Sequence, residues 1–409
     1  MERFRLLYAL AWRNLWRNAR RTSLVLLAVA FGMWSILSFT ALLQGWGAST
    51  LTAALKNMTS QGQIHARGYL DDPGAMHRLP PAKGRLAALL NGPAVRQWGP
   101  RIAVPAAIQS AYQTMPVSLI GIDPVRERGL SFITTAVHDG RNLANKNARG
   151  ILLGHKLAQR LHARIGQRIV VMSQGANGAL AERGMRVIGL FSATPQVEER
   201  EVFISLRQAQ ALLGMGHDIT GIAFDLHDIN GLGSFIHRLR LAAPNRDIQS
   251  WDTLRPMTKA MTEFSGAFIN IWIVIMFVLM AFGIVNTLLM SLHERVRELA
   301  LFEALGLRPQ LVLAQVTLES ALVILLGIVS GTALAGVTVL AFHGGLDLGF
   351  LARGAEWFGA GRVLFLHLRL SQALRIGGLV WALGVTAGLI PTWRMVRRVP
   401  IDVINRSPT

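Results

Sequence analysis

Cysteine is missing from this 409-residue sequence. Its absence excludes disulfides, thiol catalysis, a lipid-modified N-terminal cysteine, zinc fingers and iron–sulfur clusters, and leaves the compartment open. No Gly-x-x-x-x-Gly-Lys-Ser/Thr loop is present, so the chain is not expected to hydrolyse nucleotide alone. Gly-x-Ser-x-Gly, His-Glu-x-x-His and a calcium loop are missing too. The 11 histidines are dispersed, and His155 and His162 stand too far apart on their stretch to read as a ligand pair. No catalytic, cofactor-binding or metal-binding residue is therefore expected, and the chain reads as a non-enzyme.

Formal charge is missing from four long windows: Leu24–Leu43, Phe264–Leu292, Ser320–Phe342 and Ile376–Trp393. A bilayer core about 30 Å thick takes about 20 helical residues, so each window is a candidate span. The fourth is short and carries Pro391 near its end. Carboxylates inside spans would suggest ion coupling, and these windows have none; Glu319 stands at the edge of the third. Energy for any work is then expected to enter from outside the chain.

What the sequence does have is apolar bulk, 51% hydrophobic residues, and a formal net charge of +19. Scattered charges with no basic stripe among aromatics argue against nucleic acid and for the retention of Lys and Arg on the cytoplasmic side. Met1–Arg21 places Phe4, Leu7, Tyr8, Ala11, Trp12 and Leu15 on one helical face. It reads as an interfacial helix or as the basic flank of a signal anchor, and both put the N-terminus inside. Six arginines before the first window against Lys56 alone in the stretch after it agree. No clear Ala-x-Ala site follows that window, so it reads as uncleaved.

Between Gly45 and Glu263 the pattern becomes a soluble mixture. Val117–Ile122, Gln167–Met172, Met185–Phe191, Val202–Ser205 and Ile222–Leu226 read as strands. Leu157–His162, Arg207–Leu213 and Leu232–Leu241 have helical spacing, and Glu198-Glu199-Arg200-Glu201 reads as a solvated turn. About 220 residues can bury a core of their own, in one lobe or two. Farther on, Gly327, Gly331 and Ala335, and then Gly384 and Gly388, recur every fourth residue and suit close helix packing within or between subunits. Asn270 and Asn286 are expected to hydrogen-bond across the bundle. After the second window, His293-Glu294-Arg295-Val296-Arg297-Glu298 opens a short charged helix closed by Gly306 and Pro309, a knob for a soluble partner to grip. His343–Arg375 reads as a short external loop, and Arg394, Arg397, Arg398 and Arg406 return the C-terminus to the cytoplasm.

Three of these motifs occur together in one family. Glu294-Arg295-Val296-Arg297-Glu298-Leu299, then Ala304-Leu305-Gly306 and Gln315, resembles the ERxREIG…AxG signature of FtsX/MacB-like permeases, membrane subunits of a class of ABC transporters. The run from Ala11 to Asn18 with Arg20, Arg21 and Thr22 is similar to their N-terminal helix. Pro391 with Arg394, Arg397, Arg398, Pro400, Ile401, Asp402 and Val403 resembles their closing pattern. One departure is Ala300, where the family often has glycine.

The resemblance implies an α-helical membrane protein with four transmembrane helices and a large mixed α+β periplasmic domain inserted between helices 1 and 2. In order, the chain is expected to hold a cytoplasmic amphipathic helix (1–22), span one (23–44), the MacB-like periplasmic domain (45–263), span two (264–292) and a cytoplasmic coupling helix (293–314). Span three (315–342), a periplasmic loop (343–375), span four (376–393) and a cytoplasmic tail (394–409) follow. It also implies the permease subunit of an ATP-driven transporter in the bacterial inner membrane, working by mechanotransmission. In size and layout the chain is similar to lipoprotein-releasing (LolC/LolE-like) permeases, which lift acylated substrates from the membrane. Peptide or drug efflux through an outer-membrane channel, or a signal relay to a periplasmic cell-wall hydrolase, are the alternatives. The implied partners are two copies of a separate ATPase carrying ATP and Mg, a second permease, the same or homologous, membrane lipid, and a periplasmic carrier or adaptor. Coupling is assigned to Glu294, Arg295, Glu298, Ala304, Gly306 and Arg308. An apolar substrate groove is expected near the outer ends of spans one and two, at Phe39, Leu42, Leu43, Phe264, Phe268 and Ile271.

Overall fold

Long apolar helices and short alternating strands segregate into two compact units. The structure, a computed structural model, describes residues 13, 19–144, 148–294, 309–347, 363–366 and 368–396. Thr50–Ala260 form one unit, and the described residues before and after it form the other.

The helical unit is built on four long helices: α1 (Ala19–Ala54), α2 (Pro256–Glu294), α3 (Pro309–Ala341) and α4 (Leu370–Val396). Each contains a stretch long and apolar enough to cross a membrane. At about 1.5 Å per residue, α1 and α2 run about 54 and 58 Å, well beyond a bilayer core of about 30 Å. The helix of α1 thus continues through Gly45 and Gly47, past the end of its apolar window, because Ala48, Leu51, Ala53 and Ala54 favour it. The third stretch starts at Thr317 and the fourth at Leu370, so Glu319 falls in the first turn of one and Arg375 in the second turn of the other. One shared core holds the four together: Met33 and Leu37 of α1, Met280 and Ile284 of α2, Ile324 and Ile328 of α3, Ile376 and Val380 of α4. Trp34 Nε1 donates to Thr338 Oγ1 across the bundle at 2.9 Å. The small-residue stripe of α3 is consumed inside the chain: a Cβ on Gly331 would stand 2.4 Å from the Ala30 carbonyl oxygen, and one on Gly327 2.7 Å from Val29. Those glycines let α3 lie against α1. Asn270 and Asn286 are exposed on α2 rather than turned into the bundle, because the buried stripe of that helix runs along Met276, Met280 and Ile284.

The second unit is a mixed sheet with short helices. Its strands are β1 (Gly62–Ala66), β2 (Val95–Gln109), β3 (Thr114–Ile122), β4 (Val137–Gly140) and β5 (Ile151–Gly154). β6 (Arg168–Gln174), β7 (Leu180–Phe191), β8 (Glu201–Ser205), β9 (Gly221–Leu226) and β10 (Arg246–Ser250) complete it. The order is β10-β1-β9-β2-β3-β8-β5-β7-β4, with β6 bridging β2 and β7. β2, β3, β8, β5, β7 and β6 therefore close a ring, which removes their free edges. β2 belongs both to this ring and to the β10-β1-β9 arm of the sheet. Its first half pairs with β9 from Val95 to Arg101, and its second half pairs with β3 through Gln109↔Thr114 and with β6. Helix Leu232–Ala242 buries Leu232, Phe235, Ile236 and Leu239 at the spacing of one helical face. A single apolar cluster runs from Ile64 on β1 to Ile248 on β10 through the ring strands, and Phe132, Phe191 and Phe203 pack edge-on or tilted in a second. All five expected strands and all three expected helices of this region are present. The acidic run at 198–201 is not a solvated turn: Pro195–Arg200 is a helix, Glu198 is buried and accepts from Ala193 N at 2.8 Å, and Glu201 opens β8.

Candidate functional site

The expected groove residues fall into two sets. On α2, Phe264, Phe268 and Ile271 line one exposed face that Ile275, Val278 and Phe282 continue. The rings of Phe264 and Phe268 are 5.3 Å apart. On α1, Phe39 packs instead on the chain's own second span, its ring 4.6 Å from that of Trp272, and is half-buried, as are Leu42 and Leu43. Of the coupling residues, Glu294 is the last residue of α2; Arg295, Glu298, Ala304, Gly306 and Arg308 lie outside the described residues. The expected N-terminal helix, apart from Arg13 and Ala19–Arg21, lies outside them as well, and so do Arg397, Arg398 and Arg406.

A second constellation, which the sequence did not point to, sits where α1 ends and α2 begins. After Ala54 the chain makes a wide turn, Leu55–Thr59, in which Met58 takes φ +63° and Ser60 follows at φ +58°. Left-handed backbone at residues with side chains is costly and persists where its surroundings fix it. Here one bond within the turn and three neighbours do so. Ser60 N donates to Leu55 O at 2.8 Å, and Arg101 Nη1 to Met58 O at 2.5 Å. Gln63 Nε2 donates to Met58 O at 3.1 Å and to Thr59 O at 2.8 Å. Arg255 Nε donates to Thr59 Oγ1 at 3.1 Å. Arg255 is the residue immediately before α2, so a few contacts hold the exit of one long helix and the entrance of the other.

Arg101 is held in turn by Glu127 through a two-pronged contact, Nη2 to Oε1 at 2.5 Å and Nε to Oε2 at 3.3 Å, with both side chains buried. Such a fork fixes direction as well as charge. Glu201 stands near both arginines, and its Oε2 is buried without a hydrogen-bond partner. Burial pushes its pKa up to about 7, against the opposing pull of Arg255 and Arg101. His65 stacks on Tyr69 with centroids 4.5 Å apart, and both its ring nitrogens face acceptors: Nδ1 the Thr220 carbonyl at 2.9 Å, Nε2 Gln63 Oε1 at 2.7 Å. Burial lowers its pKa, while the Thr220 carbonyl and Asp247 raise it and Arg101 lowers it further. A cavity of about 100 Å³, lined by Met58, His65, Tyr69, Arg101 and Ile120 among others, adjoins the turn. It has room for a few waters but not for a drug-sized ligand. Among the described residues no group of His, Asp and Glu is placed to hold a metal ion. In sequence these charges are scattered. The one hint is that Arg101 and Glu201 each stand directly against an apolar strand run, Ile102–Val104 and Val202–Ile204.

Residues 22–238 match the MacB-like periplasmic core domain, and residues 270–400 match the FtsX-like permease C-terminal domain. The chain belongs to the FtsX/MacB-like permease family. It is 22% identical over 420 residues to a macrolide export ATP-binding/permease protein, MacB 2, of Aeromonas hydrophila, covering 99% of this chain and 61% of that protein. It is 22% identical over 315 residues to a lipoprotein-releasing system transmembrane protein, LolC, of Xylella fastidiosa, covering 75% of this chain and 73% of that protein. The permease thus spans about three fifths of the MacB relative's length. Among solved structures, the periplasmic region of MacB from Actinobacillus actinomycetemcomitans aligns with TM-score 0.35 and 13% identity, covering 50% of this chain and 95% of that one.

Proposed function

We propose that this permease is the membrane subunit of an ATP-driven ABC transporter of the bacterial inner membrane. Its mixed domain stands on the periplasmic side between spans one and two, both termini are cytoplasmic, and the energy comes from two copies of a separate ATPase that carry ATP and Mg. The substrate is a lipoprotein or another amphiphile lifted from the membrane, and a second permease completes the path. The observation that carries this reading is the length of α1 and α2. Two helices about 25 Å longer than a bilayer core, each continuous into the residues of the mixed domain, suit the transmission of a push from one side of the membrane to the other. The outward face of Phe264, Phe268 and Ile271 suits an acyl chain. The LolC relative, matched over most of both chains, favours the lipoprotein substrate; the MacB relatives favour a second reading, efflux of an apolar drug with an adaptor and outer channel.

The test is charge reversal at the coupling helix. Glu294→Lys combined with Glu298→Lys is expected to abolish substrate-stimulated ATP hydrolysis in the assembled complex while the permease still folds. Unchanged turnover would remove the coupling assignment.

A further inference from the structure

Resting on the transmission reading above, the inference concerns three residues used by neither the groove nor the coupling helix: Thr59, Glu201 and Arg255. Arg255 is exposed overall, yet its Nε is spent on a neutral acceptor, the Thr59 hydroxyl. The carboxylate beside it is unfinished, since Glu201 Oε2 is shut off from water and accepts no hydrogen bond. A buried carboxylate oxygen left bare is costly, and a guanidinium fork is its best-matched partner. Arg101, the other cation facing Glu201, is already committed to Glu127 and to the Met58 carbonyl. Arg255 is therefore the group with a choice.

We propose that Arg255 is a positioning residue with two alternative partners, Thr59 Oγ1 at the exit of α1 and the Glu201 carboxylate at the head of β8, and that its passage between them shifts the first turn of α2 against the end of α1. Protonation selects the state. Neutral Glu201 exerts little pull and leaves Arg255 on Thr59, whereas ionised Glu201 draws it in. The charged and titratable groups around the carboxylate are Arg255 before α2, Arg101 on β2 with Glu127 behind it, and His65 on β1 beyond Arg101. The sign is set by the raised pKa: between about 4.5 and about 7 the folded chain keeps a proton that the unfolded chain has lost, so stability falls as pH rises through that window. Capture of Arg255 offsets that loss.

The absence of native cysteine makes the test direct. Lys56→Cys and Met257→Cys, both at exposed positions of the mixed unit, carry spin labels on the full chain in nanodiscs. Their distance distribution is read by pulsed electron paramagnetic resonance from about pH 5 to about pH 9, which brackets the titration of a raised carboxyl. Two populations are expected to exchange with a midpoint near 7. Glu201→Gln is expected to hold the low-pH population throughout, Thr59→Val to lose the low-pH population, and Glu199→Gln to keep the wild-type response. A single pH-independent distance, or a response that survives Glu201→Gln, overturns the proposal; if that variant does not fold, Thr59→Val responding like the wild type overturns it. The measurement needs no ATPase, so its failure is separable from that of the transmission reading: silent labels with turnover lost on reversing Glu294 and Glu298 overturn the latch alone, and responding labels with turnover unchanged overturn transmission alone.

Discussion

The two units finish themselves to different degrees. The mixed unit closes a ring of six strands, buries aromatic clusters and answers Arg101 with Glu127 in its interior. The helical unit leaves much of its apolar surface bare. In the best span-length window of α1 39% of residues are buried, but in that of α2 only 11%. A soluble protein cannot keep such a face uncovered, so the solvent of that unit has to be lipid, a partner helix or a substrate chain. Stability should therefore reside in internal pairs and packing in the first unit, and depend on what covers the helices in the second.

The sharpest way to break this contrast is to cut a pair inside the mixed unit. Arg101→Leu leaves Glu127 buried without its cation and takes one of its two donors from the Met58 carbonyl, and is expected to cost about 3–5 kcal/mol. The thermal midpoint of the full chain in detergent, followed by proteolysis of the mixed unit, checks it. Replacing Glu127 by Leu as well is expected to recover most of the loss, since an apolar pair often substitutes for a buried ionic one. If the double variant were as unstable as the single, the contacts of Arg101 to the Leu55–Thr59 turn, rather than the ion pair, would be what holds the unit.

Within the helical unit a smaller effect is expected from overfilling. Gly331→Leu puts a side chain where even a Cβ would stand 2.4 Å from the Ala30 carbonyl oxygen and 2.8 Å from Met33 Cβ. The backbone oxygen cannot be repacked around, so α3 has to move away from α1, at a cost of about 1–3 kcal/mol. Unfolding in an SDS titration measures this. An unchanged midpoint would mean that α1 and α3 are not closely packed in the membrane.

The same contrast explains what was legible beforehand. Periodicity is a local signal, so the alternation in Val117–Ile122 and the helical spacing of Leu232–Leu241 revealed β3 and one amphipathic helix, and the charge-free windows revealed the spans. β2 was not among the expected strands, and it carries Pro100 and Pro105, residues that disfavour a strand interior. In the sheet they pair with Ile222 and Ser118, and the carbonyl of Pro105 accepts from Ser173 Oγ at 2.7 Å. The acidic run at 198–201 misled for a related reason: four charged residues in a row look solvated unless the fold is known to bury Glu198 and the Oε2 of Glu201. The exposed apolar face of α2 at Phe264, Phe268 and Ile271 was legible because a bilayer-length apolar helix needs no long-range contact to be recognised. Arg101, Glu127, Arg255 and Thr59 were not, since contacts between residues so far apart in the chain leave no trace in one sequence.

The least effect on folding and the most informative on function is expected at that exposed face. Phe268 is 44% exposed on α2 and touches Phe264 beside it. Phe268→Ala removes little packing within the chain, and its effect on stability is expected to stay within about 0.5 kcal/mol. Whatever covers the face in the membrane loses more, because a ring offers a large apolar area to an acyl chain or a partner helix. Substrate-stimulated ATP hydrolysis of the assembled complex should therefore fall while basal hydrolysis and the melting midpoint hold. A fall in the melting midpoint instead would place Phe268 in the packing of the unit itself, and the helical unit would then be as self-contained as the mixed one.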